Sequence, residues 1–403
     1  MVAPPLGTSR RRAQTCPNAP LGRIGATVLG LHLLLLSALL LLPLPAQAAA
    51  TLTPAWRVDV APADKAPNAV GGLAIANDGS MLVALGRAPS VLHFVDGTTH
   101  RVLWRSRSER GYYHDPAMSA DGARLVVAET TPASSAGPAT HRILGLNRAG
   151  RILWERGDFG TPHLASSGEY VLLHHAGPLG GVTVLAGATG KVLWEVGAQE
   201  FGGVVAASFS PDASCVLLQG EKGAVLYTSV GGVLWRRNTA QSEVRTAATS
   251  TLGKRTAVLL SNGQVVLLNE QGDTTGVVAL AGGDAKAVEW DLLSLSGDGG
   301  RVMGVGREGE GTYVVRAIST SPPAAQWSQS LEATGEAGLV GGGEHAVLAL
   351  VGKAGATFRL AGAEPPPTGG TGFAGRVTAW AFSADGRWLG VLSGARVSVL
   401  GAP

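Results

Sequence analysis

Charged and aromatic residues are scarce in this chain of 403 residues. Asp, Glu, Lys and Arg make up 15% and aromatic residues 5%, whereas hydrophobic residues reach 45% and glycines number 58. Disordered chains combine low hydrophobicity with high net charge, so the composition excludes that class. Four of the 32 Lys and Arg precede residue 49, which leaves 28 bases against 29 acids in the remainder. A near-neutral chain lacks the basic footprint of a nucleic-acid binder.

Cysteine is also nearly absent. Cys16 lies in the N-terminal segment, and Cys215 is the one cysteine that follows it. A single cysteine forms no intramolecular disulfide, so packing has to hold the fold. Cys215 stands in the apolar run CVLL with no basic residue nearby to activate a thiol. The sequence therefore predicts a small buried hydrophobe at this position rather than a reactive thiol.

An N-terminal leader is indicated by an arginine triplet at 10–12 and an uncharged apolar run at 24–42. The motif PLPAQA at 43–48 ends any helix and supplies the small-x-small pattern that signal peptidase reads. These features predict a signal peptide at 1–48, cleaved after Ala48, and export to the periplasm or the extracellular space. An uncleaved membrane anchor is the alternative, since about 18 apolar residues can span a bilayer.

A turn flanked by two apolar strands recurs about every 44 residues through the rest of the chain. Clear copies read ANDGSMLVAL from 76, SADGARLVVA from 119 and SADGRWLGVL from 383. A small sheet cannot bury both of its faces alone, so the copies have to stack on one another. The eight copies place the following residues at the Asp position of the turn: Asp78, Asp121, Ser167, Asp212, Leu252, Asp298, Gly342 and Asp385.

A second element with the same period ends in tryptophan. It reads HRVLWRSR, GRILWERG, GKVLWEVG and GGVLWRRN, and each copy follows a turn, as a hairpin into an outer strand requires. We expect these tryptophans to pack between neighbouring repeats rather than to form a stacking platform for a ligand. They are Trp104, Trp154, Trp194 and Trp235, with a weaker counterpart at Trp327.

The two ends of the chain complement each other. After the last turn the chain holds two further strands and no fourth, whereas TPAWRVDV at 53–60 supplies a strand with Trp56 before the first complete unit. The sequence predicts an all-β fold, a single β-propeller domain over 49–403, with eight four-stranded blades closed by the N-terminal strand. Seven blades is the alternative, because the seventh unit runs into AEPPPTGGTG at 363–372 without a clear outer strand.

The repeats resemble known propeller families. SADGRWLGVLSG is similar to WD-repeat and YVTN-type blades, and GKVLWEVG is similar to the tryptophan-docking strand of PQQ-like repeats. The resemblance spans residues 53–400 and implies a β-propeller repeat protein of exported bacterial type. Such propellers serve as dehydrogenases, assembly scaffolds and ligand sensors alike. The chain lacks the adjacent cysteines and an alignable set of calcium ligands found in quinoprotein dehydrogenases, so no cofactor is predicted.

Polar residues follow the tryptophan strands, where the loops of a propeller surround the mouth of its channel. Here His114, oriented by Asp115, would act as a general acid or base, and Arg110 would hold an anionic group. YYHDPAMSADG at 112–122 resembles the His-Asp stretch of bacterial arylsulfotransferases. The competing interpretation is that polar residues collect at solvated strand ends. Other polar residues assigned to these loops are Arg105, Arg107, Glu109, Tyr112, Tyr113, Glu155, Arg156, Asp158, His163, Arg236, Arg237, Glu243, Arg245, Asp284, Lys286 and Glu289.

Metal sites are not predicted. His174 and His175 are adjacent at the end of a strand, so they face opposite sides and do not share one ion. The Asp-Gly turns carry one carboxylate each, fewer than a calcium loop needs.

The leading hypothesis is a non-enzymatic exported scaffold. It would bind another protein or a small ligand at the channel mouth or at a blade rim, as a monomer, with no nucleic-acid partner and no stable membrane insertion after leader cleavage. The alternative is a propeller enzyme, quinoprotein-like or arylsulfotransferase-like, with His114, Asp115 and nearby arginines at its mouth.

Overall fold

Short antiparallel strands dominate the computed structural model of this protein. Within the described part of the chain, no helix has the length and apolar content needed to cross a bilayer. The predicted signal peptide and four predicted mouth residues, Glu109, Arg110, Asp284 and Lys286, lie outside the described residues. The described residues are 51–60, 71–86, 90–108, 111–134, 137–175, 180–197, 203–239, 242–280, 288–332, 335–342, 345–352, 355–361, 365, 370–374 and 376–402.

The described residues form eight four-stranded sheets, which are the blades of a propeller. Blade 1 holds β2 (Gly71–Ile75), β3 (Met81–Leu85), β4 (Ser90–Asp96) and β5 (Arg101–Ser108). Blade 2 holds β6 (Tyr112–Met118), β7 (Arg124–Thr131), β8 (Thr140–Asn147) and β9 (Ile152–Arg156). Blade 3 holds β10 (Thr161–Leu164), β11 (Tyr170–His174), β12 (Val182–Ala186) and β13 (Val192–Val196). Blade 4 holds β14 (Val204–Phe209), β15 (Cys215–Gly220), β16 (Gly223–Thr228) and β17 (Val233–Asn238).

The second half of the ring follows the same order. Blade 5 holds β18 (Val244–Thr249), β19 (Arg255–Leu260), β20 (Gln264–Asn269) and β21 (Thr274–Ala279), with a short 3-10 turn at Thr251–Gly253. Blade 6 holds β22 (Glu289–Leu295), β23 (Arg301–Arg307), β24 (Thr312–Thr320) and β25 (Pro323–Glu332). Blade 7 holds β26 (Gly335–Gly342), β27 (His345–Gly352), β28 (Gly355–Ala361) and β29 (Thr371–Ala374). Blade 8 holds β30 (Val377–Phe382), β31 (Trp388–Ser393), β32 (Arg396–Gly401) and β1 (Thr53–Asp59).

Eight blades and closure through the N-terminal strand are therefore confirmed, and the seven-blade alternative is wrong. The seventh unit has an outer strand after all, the four-residue β29. In blade 8, β1 pairs antiparallel with β32, from Thr53 opposite Gly401 to Asp59 opposite Arg396. The first strand of each blade is the inner strand. In the series of blades 5, 6, 7, 8, 1, 2 and 3, each first strand contacts its counterpart in the neighbouring blade.

The hydrophobic core is divided among the contacts between blades. Eight clusters of buried side chains each combine residues of two neighbouring blades. Alternate residues of one strand serve opposite interfaces. Met81 and Val83 pack toward blade 8, whereas Leu82 packs toward blade 2. The middle strands are therefore continuously apolar, and Cys215 is buried in one of them, where burial raises the pKa of its thiol.

In blades 2, 4, 6 and 8, the recurrent turn is closed by its serine and its aspartate. The Oγ of Ser119 donates to Asp121 over 2.6 Å, and the backbone N–H of Ala123 donates to the same carboxylate. In blade 6, the corresponding hydrogen bond from Ser296 lowers the pKa of Asp298. Neighbouring turns are joined as well, since the N–H of Asn77 donates to the Ala120 carbonyl and that of Ala120 to the Ser166 carbonyl. The SADG pattern thus builds both the hairpin and the contact between blades.

Blade 8 is joined to blade 1 by hydrogen bonds between their turns and by tryptophan contacts. The indole N–H of Trp388 donates to the Asn77 carbonyl over 3.1 Å, and the N–H of Asp385 donates to the side chain of Asn77 over 3.1 Å. On the outer strand, the ring of Trp56 stacks on His100 of blade 1 with centroids 4.5 Å apart. These contacts join the two ends of the chain, which makes β1 part of the ring rather than an appendage.

A buried histidine in blade 1 makes stability depend on pH. His93 on β4 is fully buried, and neither ring nitrogen has a hydrogen-bond partner among the described residues. Burial, aided by the charge of Arg105, lowers its pKa to about 4 from 6.5. The unfolded chain takes up a proton near pH 6.5, whereas the folded chain resists it. The stabilisation is therefore complete above pH 6.5 and is lost as the pH falls towards 4, by about 3 kcal/mol.

We expect His93→Leu to remove this acid-sensitive component, because leucine fills the site without a titratable group. His93→Gln should remove the same component while keeping polar atoms buried, so it should be less stable than His93→Leu at neutral pH. Chemical denaturation between pH 7 and pH 4.5 measures both effects. An equal loss of stability on acidification in His93→Leu and the wild type would assign the pH dependence to other groups.

Candidate functional site

The channel mouth beside blades 2 and 3 brings together His114 and Asp115. Both lie on the inner strand β6, whose pairing with β7 is irregular between His114 and Ala117. Asp115 takes a left-handed backbone conformation with φ of 48°, which aspartate tolerates better than most residues. The irregularity re-aims its side chain, which is 46% exposed at the channel.

A chain of hydrogen bonds crosses blade 2 from this carboxylate. His114 Nδ1 lies 2.9 Å from Asp115 Oδ2, and His114 Nε2 lies 2.9 Å from Thr130 Oγ1. Thr130 Oγ1 in turn lies 2.9 Å from Nδ1 of His141, which is exposed on β8. The ionised carboxylate only accepts, so His114 donates to it from Nδ1; in the tautomer that carries its proton there, Nε2 accepts the Thr130 proton. The His141 N–H then donates to the Thr130 oxygen.

This order of groups has consequences for chemistry. The hydrogen bond from His114 lowers the pKa of Asp115, although burial opposes the shift. Carboxylate, imidazole and hydroxyl follow the sequence of a nucleophilic triad, but Thr130 is 7% exposed and its oxygen already accepts from His141. The hydroxyl is therefore closed to a substrate. What the chain of hydrogen bonds does is hold one carboxylate, Asp115, as an anion facing the channel.

A cavity of about 520 Å³ opens in front of Asp115, between the inner strands of blades 8, 1, 2 and 3. Its walls include Leu73, Asp115, His163 and Trp380. Enclosure by the channel walls lowers the pKa of His163, with His174 acting in the same direction and Asp115 opposing. At neutral pH the cavity thus presents one anionic group and a neutral imidazole.

Further round the channel, a separate charged group lies on blades 5 and 6. The inner strands β18 and β22 bulge at Arg245 and Asp291, and both side chains are exposed. Burial and the neighbouring Glu289 raise the pKa of Asp291, whereas Arg245 and Arg307 oppose this shift. Sequence reasoning missed Asp291, Thr130 and His141, because no local pattern distinguishes them from other strand residues.

Several of the other polar residues assigned to the mouth have partners on or next to their own or neighbouring strands. Six of them, Arg105, Arg107, Glu155, Arg156, Arg236 and Arg237, lie on the outer strands β5, β9 and β17, so their assignment to mouth loops is wrong. The outer strands simply continue for two to four residues past the tryptophan. The observed partnerships are Glu155 with Arg142 at 3.1 Å, Arg156 with Asp158 at 3.0 Å, Arg237 with Thr274 at 2.9 Å, and Tyr113 with Ser106 at 3.3 Å.

The adjacent histidines point to different partners. The Nε2 of His174 lies 3.1 Å from the Val204 carbonyl of blade 4, whereas His175 lies 3.4 Å from Asp158 and 3.3 Å from Thr183. In the described part of the chain, no group of three or more His, Cys, Asp or Glu side chains is arranged to hold a metal ion.

The predicted structural tryptophans lie between blades. The indole N–H groups of Trp104, Trp154 and Trp194 donate to the carbonyls of Arg148, Gly187 and Ser229, each in the next blade, at 2.8, 2.9 and 2.8 Å. Trp235 is buried against Gly272 of blade 5, and Trp327 packs against the cluster between blades 6 and 7.

Comparisons with known proteins agree with this architecture. Residues 46–204 match a family model described as outer membrane protein assembly factor BamB. BamB from Moraxella catarrhalis is 15% identical, with a TM-score of 0.57 over 87% of this chain and 97% of that chain. This chain has the fold of the PQQ-like and WD-repeat β-propellers. At this identity the likeness between the two structures concerns the fold.

Two further solved structures share this propeller fold. The C-terminal WD40 domain of Sif2 is 13% identical, with a TM-score of 0.59 over 88% of this chain and 99% of that chain. The Dos1 propeller is also 13% identical, with a TM-score of 0.55 over 87% of this chain and 95% of that chain. No curated protein matches the sequence.

Proposed function

We propose that this propeller is a non-enzymatic, exported scaffold that binds another protein outside the cytoplasmic membrane. The observation that supports the proposal is where the polar side chains find their partners. Arg142, Glu155, Arg156 and Asp158 form ion pairs beside their own strands rather than converging on a point in the channel. Propellers without a convergent site present large rims and faces, which suit them to contacts with proteins.

The comparisons support the same proposal. The family model that matches residues 46–204 is named for an assembly factor of the outer membrane, and the matched segment covers β1 to β13. The signal peptide predicted at 1–48 would deliver the chain to the compartment in which such a factor works. We propose export, a protein partner and a monomeric state together as parts of this function.

An enzyme with its site at the mouth is the second candidate. It requires His114 and at least two more of the polar side chains predicted for the mouth, all within hydrogen-bonding reach in a channel pocket. Among the described residues predicted for that site, His114 meets Asp115, and both of its ring nitrogens are engaged. Thr130, which completes the row, is buried. The geometry therefore favours the scaffold.

The two candidates predict different results for His114→Ala and Asp115→Asn. For a scaffold, we expect chemical cross-linking in the native envelope to capture the same protein with the variants and the wild type. We also expect no oxidation of alcohols with added quinone cofactor and calcium, and no sulfate transfer from an aryl sulfate. Turnover that disappears in His114→Ala would contradict the proposal and favour the enzyme.

A further inference from the structure

The outer strands of blades 1 to 4 share a β-bulge just before their tryptophan. In blade 1, Trp104 pairs with Phe94 and Val102 pairs with Val95, so Leu103 between them is an extra, unpaired residue. The same β-bulge recurs at Leu153, Leu193 and Leu234 in blades 2, 3 and 4. A bulge increases the local twist and re-aims the neighbouring side chains. Here the tryptophan turns into the next blade, and the leucine turns out into solvent.

These four leucines, which we call the leucine rim, are exposed to an unusual degree for their type. Their exposed fractions are 55%, 40%, 47% and 44% in blades 1 to 4. The residue before the leucine adds apolar surface, since Ile152, Val192 and Val233 are 50%, 42% and 46% exposed. Repeated exposure of large apolar side chains at equivalent positions marks a contact surface.

The fold itself does not call for leucine at this bulge. Blades 5, 6 and 8 form the same bulge with Thr275, Gln326 and Ala55 as the extra residue, and all three are exposed. The geometry therefore accepts polar and small side chains, which would keep an outer edge soluble. Leucine at blades 1 to 4 needs a reason other than folding.

Charge separates the same four blades from the rest. The outer strands β5, β9, β13 and β17 together carry six arginines and two glutamates. The outer strands β21, β25, β29 and β1 carry one arginine, one aspartate and one glutamate. In β5, the side chains of Arg101, Arg105 and Arg107 are exposed, and among the described residues no ion pair is found for them. Aliphatic and basic surface thus coincide on half of the ring.

We propose that the leucine rim binds an extended polypeptide segment of a partner protein that is acidic and rich in aliphatic residues. This inference rests on the proposed scaffold function and names its contact surface. Acidic side chains would pair with the arginines, and aliphatic side chains would cover the leucines and the residues before them. The outer strands of four consecutive blades follow half of the ring, and an extended chain can follow that arc, whereas a flat bilayer reaches neighbouring blades at most. A second copy of this chain would bring basic rim against basic rim.

Site-specific photo-cross-linking tests where the partner lies. A photoreactive amino acid is placed at Leu153, at Gln326 or at Phe159 in the full chain and irradiated in the native envelope. Gln326 occupies the same bulge in blade 6, and Phe159 is 73% exposed in the loop between blades 2 and 3. We expect a cross-linked protein from Leu153 and none from Gln326. Cross-links from Phe159 alone would overturn the leucine rim while leaving the scaffold intact, and none from any position would overturn both.

A variant with threonine at all four leucines tests the chemistry of the contact. Thr275 shows that threonine fits the bulge, so thermal unfolding should match the wild type. The probe is a short synthetic peptide alternating glutamate with valine and leucine, compared with the same peptide carrying lysine. We expect the acidic peptide to bind about tenfold more tightly than the lysine peptide, and the variant to lose about tenfold in affinity for it. Equal binding of both peptides, or equal binding of the acidic peptide by the variant and the wild type, would overturn the proposal.

Two further measurements test the other occupants. If the wild type binds anionic lipid vesicles and the variant does not, the proposal is overturned in favour of a membrane. If the wild type self-associates and the variant does not, it is overturned in favour of a second copy of this chain.

Discussion

A chain that lacks Thr53–Asp59 is expected to unfold or aggregate under conditions where the full chain is folded. The deletion removes β1, leaves β32 as an open edge, and takes Trp56 and Val58 away from the cluster between blades 8 and 1. Apolar contacts of this size contribute about 3 to 5 kcal/mol, a large part of an ordinary stability of about 5 to 15 kcal/mol. An exposed edge beside apolar strands also templates association.

Thermal unfolding and light scattering measure this effect. The matched control deletes seven residues at 362–368, the same number as β1, and leaves the described strands in place. A synthetic peptide with the sequence TPAWRVD should restore part of the lost stability when added to the truncated chain, because it can pair again with β32. Equal melting temperatures for the truncated and full chains would show that the ring does not depend on its N-terminal strand.

Trp154→Ala is expected to cause the second large loss of stability. Trp154 is 8% exposed, its indole N–H donates to the Gly187 carbonyl over 2.9 Å, and its ring packs on Gly190 of the next blade. Replacement by alanine leaves a cavity between blades 2 and 3 and an unpaired carbonyl, at a cost of about 3 to 5 kcal/mol. Denaturant unfolding of the purified chain measures this loss.

The neighbouring residue provides a matched control. Leu153 precedes Trp154 on the same strand and points into solvent, so Leu153→Ala should change stability by less than about 0.5 kcal/mol. Gly190→Ala tests the same interface from the side of blade 3. Gly190 has φ of 67°, and a methyl group there would lie 2.7 Å from the Trp154 ring, so this variant should also be destabilised. Similar losses for Leu153→Ala and Trp154→Ala would show that the tryptophan does not carry the interface.

The repeat made the blades predictable. Asp121 with its serine, and Trp154 with its following blade, act through contacts that recur at one period, so a sequence pattern is enough to locate them. The closing strand with Trp56 was also predictable, because the last blade lacks a fourth strand and the segment before the first complete unit supplies one. Arg105 and Arg236 show where the sequence pattern stops being informative. We predicted both in loops after the tryptophan, but they lie on the outer strands, because nothing in the local sequence indicates how far those strands continue.

The sequence by itself determined the period, the number of blades and the strand that closes the ring, since each of these follows from local hydrophobic patterning repeated along the chain. Tertiary structure decided which groups meet. The row from Asp115 through His114 and Thr130 to His141 joins three strands of one blade, and the burial of His93 depends on its neighbours across the sheet. The outward turn of Leu153 depends on a one-residue mismatch between paired strands. Register and side-chain direction are properties of the assembled sheets, and for that reason the leucine rim emerged from the structure alone.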